Sequence, residues 1–189
     1  MANGSLQAAV RAAALITITL AAGLSACTNG TQSNPNLAVA ERFIDAFYSY
    51  SPNALSISLA KAPTDANRTL YYQAWAEAGD YQIQERRPCE MTSSTQAQCA
   101  VKVTDNIGGT LGYVATDTFI LEFAQQNLVG VRFTSDDPPI FEELQRWLQT
   151  HRPEVFTGPC KDMFAGGTTP GACVRAVVRG AKDFVQGAP

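Results

Sequence analysis

The spacing of apolar residues changes from a period near 3.6 to a period of 2 at Gly79, and this switch does most to limit the fold. Ahead of it, Val39, Phe43, Ala46, Phe47 and Tyr50 recur at i, i+4, i+7, i+8 and i+11, one stripe of a helix starting at Leu37. Ser51 and Pro52 supply an N-cap and a first-turn proline for a second, short helix with Leu55 and Leu59 inward, closed by Pro63. A third helix is predicted after Asp65, with Leu70, Tyr71, Ala74, Trp75 and Ala78 on one side, and it stops at Gly79. Beyond Gly79, the stretches 81–89, 98–107, 112–123 and 127–134 alternate as strands. Turn residues at 92–95, 106–109 and 125–127 separate them, and connections this short predict an antiparallel meander. The tail reverts to helix. Asp137, Pro138 and Pro139 cap a segment running through Gln149, with Glu142 and Glu143 in its first turn. Thr169 and Pro170 open a last helix with Val174, Val177, Val178, Ala181 and Val185 as its buried stripe. The fold class expected is α+β.

The first stretch reads as a targeting segment. Arg11 is its one charged side chain, and residues 12–24, AAALITITLAAGL, are too short and too interrupted by Thr17 and Thr19 for a permanent membrane span. It ends in Leu24-Ser25-Ala26-Cys27, which resembles the bacterial lipobox. That resemblance implies cleavage before Cys27 and a diacylglycerol on its thiol. Acyl chains contribute about 0.8 kcal/mol per buried methylene, so the lipid would be the membrane anchor. Thr28, rather than an aspartate, follows the cysteine and leans towards the outer membrane in a cell that has one. The expected localisation is therefore export across the inner membrane and lipid anchoring in the envelope. Residues 27–37 are polar after the cysteine and read as a tether.

Removing residues 1–26 from a chain of 189 leaves 163, enough for one domain. Without Arg11 the basic residues fall from 14 to 13 against 17 acidic ones, a net charge of −4. Such a surface argues against a nucleic-acid partner. Four cysteines follow Cys27, an even number suited to an oxidising compartment, and three pairings are open. Closeness in sequence favours Cys89 with Cys99, across the turn at 92–95, and Cys160 with Cys173. A zinc reading is weak, because no CxxC pair is present and His151 is the single histidine. No metal or cofactor is expected.

Helices followed by a curved antiparallel sheet resemble the nuclear transport factor 2-like (NTF2-like) family, whose fold is an α+β cone. The resemblance covers residues 38–135 and is carried by Phe43, Ala46, Phe47, Tyr71, Trp75 and the strands 113–123 and 128–133. It implies a pocket between the helices and the inner sheet face, and a homodimer through the sheet. Relatives include acid–base isomerases and dehydratases as well as pure binders. Residues 136–189 are a helical extension beyond that pattern, placed to cover either the mouth of the cone or its outer sheet face.

In 113–123 the odd positions are Tyr113, Ala115, Asp117, Phe119, Leu121 and Phe123, so Asp117 falls on the apolar face. A desolvated carboxylate there has the character of a general base or a ligand anchor. Alternatively, a bulge at 116–118 flips it outward, or it pairs with an arginine such as Arg68 or Arg87. Tyr72, Trp75 and Tyr113 are candidates to line the same pocket, or plain core. His151 sits where a helix C-terminus welcomes a cation. Arg175, Arg179 and Lys182 share one helix face, suited to anionic headgroups or to solvent. No GxSxG, P-loop or HExxH pattern is present. Three readings result. The first, and preferred, is a non-catalytic envelope lipoprotein binding a small apolar ligand or an envelope protein. The second is an isomerase or hydratase using Asp117, and the third a structural lipoprotein with a filled interior.

Overall fold

In the computed structural model, which describes residues 34–187, the change of period at Gly79 separates three helices from a sheet. Helix α1 (Pro35–Tyr48) starts inside the stretch expected as tether, because Asn34 caps it by accepting from the Asn36 amide. Ala40, Phe43, Ile44 and Phe47 form its buried face. Tyr50 lies past the end at φ 54°, and its hydroxyl donates to the Tyr81 carbonyl. Helix α2 (Pro52–Ser58) is capped by Ser51 and buries Leu55. Pro63 does not close α2. It opens α3 (Pro63–Ala78), at a position where a missing N–H leaves nothing unpaired. The buried face of α3 is wider than its apolar stripe, adding Tyr72, Gln73 and Ala76 to Tyr71 and Trp75. Gln73 Nε2 donates to the carbonyls of Ala46 and Phe47 at 2.9 and 2.8 Å, which fixes the end of α1 against α3.

Strands β1 (Gln82–Arg86), β2 (Glu90–Ser93), β3 (Gln96–Thr104), β4 (Ala115–Ala124) and β5 (Asn127–Ser135) form one antiparallel sheet. Both β1 and β2 pair along one edge of β3, with β4 and then β5 on its other side. The strand predicted over 81–89 thus breaks at Pro88, which has no N–H to give a ladder. Residues 106–109, expected as a turn, belong to helix α4 (Asn106–Leu111), capped by Asp105. The β3–β4 register runs unbroken from Gln96↔Glu122 to Val103↔Ala115, so no bulge turns Asp117 outward.

Helices α5 (Pro139–His151), α6 (Glu154–Thr157) and α7 (Pro170–Val185) complete the chain. Asp137 does not cap α5; Pro138 holds that position, and Asp137 accepts from the Ser135 hydroxyl at 3.2 Å. Helix α7 is rolled from its predicted stripe. It buries Cys173, Val174, Ala176, Val177, Gly180 and Ala181, leaving Val178 half-buried and Val185 exposed. This face packs on α3, α4 and α5. A Cβ on Gly180 would sit 2.2 Å from Leu148 Cδ2, so the residue allows α7 to approach α5 closely. Both disulfides pair as locality favoured. Cys89–Cys99 ties the start of β2 to β3, and Cys160–Cys173 closes the loop between α6 and α7. No helix among the described residues is long and apolar enough to cross a membrane. Cys27 and the segment before it lie outside the described residues.

Candidate functional site

Asp117 is fully buried, and its partners are tyrosines. Helix α1 ends by delivering Tyr48, whose hydroxyl donates to Asp117 Oδ2 at 2.9 Å. From α3, the Tyr72 hydroxyl donates to Oδ1 at 3.1 Å and lies 3.2 Å from the hydroxyl of Tyr81, just ahead of β1. Neither expected arginine is involved. Arg87 pairs with Glu85 at 2.9 Å, and Arg68 stands on α3 without an ion pair among the described residues. Arginine would have to enter an aromatic core to reach Asp117, whereas tyrosine brings an apolar ring and one polar tip. Burial pushes Asp117 up to about 7, against the two tyrosine hydrogen bonds that hold it down. Burial also pushes Tyr48, Tyr72 and Tyr81 up, aided by the Asp117 charge, so all three keep their protons at ordinary pH.

In front of this cluster lies a cavity of about 330 Å³. Tyr72, Trp75 and Tyr113 line it, as expected. Asp117 does not, because Tyr72 stands between the carboxylate and the open space. The sheet contributes Phe119, Val131 and Phe133. The opposite wall is the C-terminal extension: Phe141 and Leu148 of α5, Phe156 of α6, Met163 and Phe164 of the disulfide-closed loop, and Val177 of α7. The extension therefore covers the inner side of the sheet with the helices, rather than its outer face. Phe164 is central. Its ring lies 5.1, 5.8 and 5.5 Å from those of Tyr71, Tyr72 and Trp75, and its backbone holds φ at 59°. Non-glycine residues seldom occupy that region, and here Cys160–Cys173 constrains the loop that carries it.

Two carboxylates that sequence reasoning missed also line the cavity, Asp105 and Asp137. Asp137 was expected as a helix cap and Asp105 fell within a predicted strand; nothing local marks a side chain that also faces a cavity assembled from distant segments. Asp105 Oδ1 accepts from the Gly108 amide at 2.6 Å, while burial pushes its acid up to about 6. Burial also pushes Asp137 and Tyr113 up, the latter with help from Asp105 and Asp137. Thus a largely apolar, aromatic lining also carries two carboxylates, along with Arg68 and neutral polar side chains.

The other candidates stand apart from it. His151 Nδ1 is 3.0 Å from the Trp147 carbonyl oxygen, and its ring stacks on Trp147 at 4.7 Å, exposed at the end of α5. Arg179 and Lys182 border a cleft together with Arg152, Glu154 and Asp183, a face of mixed charge. No protein-family model matches the chain, and no curated protein or solved structure does.

Proposed function

We propose that this chain is an exported lipoprotein, anchored by lipid on Cys27, whose NTF2-like domain binds a small, largely apolar ligand without transforming it. The observation that carries the reading is the 330 Å³ cavity, walled mainly by aromatic and aliphatic side chains with polar ones among them. Ligand sites have this make-up, and this one is at the small end of their usual range of roughly 300–1,000 Å³. Three helices ahead of an antiparallel sheet, with the cavity between them, support the NTF2-like assignment. A filled structural subunit has no use for such a space. An isomerase built on Asp117 needs that carboxylate at the substrate, yet both its oxygens are engaged by tyrosines and Tyr72 screens it.

The test is a fluorescence titration with N-phenyl-1-naphthylamine, an apolar dye that brightens out of water. The full chain carrying Cys27→Ser is used, so that no acyl chain competes for the dye. Saturable one-to-one binding is expected, lost in Val131→Phe, which fills the cavity from β5, while the circular dichroism spectrum stays native. Binding that never saturates, or that the filled variant keeps, would refute the assignment.

A further inference from the structure

Two of the side chains that line the cavity are carboxylates close enough to act on each other, Asp105 and Asp137. Asp105 reaches the cavity from the start of α4 and Asp137 from the junction of β5 and α5. Each carboxylate accepts a hydrogen bond from close by in sequence, Asp105 from the Gly108 amide and Asp137 from the Ser135 hydroxyl. Neither takes part in an ion pair among the described residues, and Arg68, the basic side chain on the wall, pairs with neither. Two negative charges thus face an apolar space with no countercharge of their own. The space beside them is bounded by the rings of Tyr81, Tyr113 and Phe141. Among the described residues, no three His, Cys, Asp or Glu side chains are grouped to hold a metal ion.

We infer that the ligand is a small organic cation, with an ammonium-type group against Asp105 and Asp137 and an apolar body along the aromatic wall. This rests on the binding function proposed above and names the class of ligand. The physical case has two parts. A pair of carboxylates without a basic partner, one half-buried and one exposed at the cavity's edge, favours a positive guest and repels an anion. Aromatic faces carry negative charge density and stabilise alkylammonium groups without demanding the close oxygen cage of a metal site. The apolar body answers to the rest of the wall, which a bare ammonium ion would leave unused.

The experiment displaces N-phenyl-1-naphthylamine with two molecules of one shape, (2-naphthylmethyl)trimethylammonium and its uncharged carbon isostere, 2-neopentylnaphthalene. The cation should displace the dye at about one-fifth the concentration of the isostere. In the double variant Asp105→Asn, Asp137→Asn that preference should vanish while the isostere competes as before. If the double variant does not fold, Asp137→Asn alone must lose part of the preference. Equal or better competition by the isostere in the parent protein overturns the inference, as does a preference that survives the asparagines. A chain that binds no dye at all overturns the binding function and this inference together; dye binding without charge preference overturns this inference alone.

Discussion

Tyr72 gives its hydroxyl hydrogen to Asp117 while its ring forms part of the cavity wall, so the buried carboxylate meets the cavity only by way of a tyrosine. The Tyr81 hydroxyl, 3.2 Å further on, extends the chain along the same wall. When Asp117 takes up a proton, one of its oxygens becomes a donor and the hydrogen bond at that oxygen reverses, while the other oxygen goes on accepting.

Removing the Tyr72 hydroxyl leaves Asp117 with Tyr48 as its donor. Tyr72→Phe is expected to lower stability by about 1–3 kcal/mol, the range for stripping a buried acceptor of a partner. It should also move the Asp117 titration further upward, because that hydrogen bond favours the charged form. Urea denaturation and carboxyl carbon shifts measure the two effects. A variant as stable as its parent, with an unmoved titration, would disprove the network.

The pH dependence has a definite sign. The folded-state acid of Asp117 lies at about 7, above the usual carboxylate value of 3.8. Between those values the native state binds more protons than the unfolded one, so stability falls as pH rises from about 4 to 7. Asp105, at about 6, and Asp137 act in the same direction. A shift of this size corresponds to about 4 kcal/mol at most for Asp117. The melting temperature should therefore decline from pH 5 to pH 8, and Asp117→Asn should flatten the decline. A melting temperature that climbs over this interval in both proteins contradicts the burial of the carboxylate.

Both disulfides close loops of similar length, and in the chain-entropy model each removes about 3 kcal/mol of unfolded-state freedom. Their effects on binding should nonetheless differ. Replacing Cys160 and Cys173 with alanine releases the loop bearing Met163 and Phe164, so dye affinity should drop at least fivefold along with stability. Replacing Cys89 and Cys99 should lower stability and leave affinity within about twofold. Equal losses of affinity in the two pairs would show that Phe164 does not depend on its staple.

Cys27→Ser removes the thiol that the lipobox reading requires. The expected product is an unprocessed, unlipidated precursor, seen as a mass gain of the retained leader and loss of acyl label. Normal processing with membrane retention would remove the anchoring half of the proposed function.

Much of this fold was legible because its information is local. The stripe from Val39 to Phe47 and the alternation of Ala115, Phe119, Leu121 and Phe123 each repeat within a dozen residues, and both reappear as buried faces. Asp117 stood out as the polar interruption of such a repeat. Its hydrogen bonds did not, since Tyr48 and Tyr72 lie 69 and 45 positions away; Tyr72 was marked only as a pocket side chain and Tyr48 not at all. Met163 and Phe164 were hidden for a different reason. They belong to a loop with no period, held inward by a covalent closure and by close approaches between helices rather than by propensity.

The wall that covers the cavity is supplied by α5, α6, α7 and the loop between α6 and α7, all of which follow the first helices and the sheet in chain order. Chains emerge N-terminus first, so the helices and sheet that form the floor are made while the covering wall has yet to appear. A guest present at that moment would meet a broad, open aromatic shelf; one arriving later would enter past the finished wall. For a ligand of the proposed kind, capture during biogenesis and capture by the mature molecule would thus be different events, governed by different barriers although leading to the same complex.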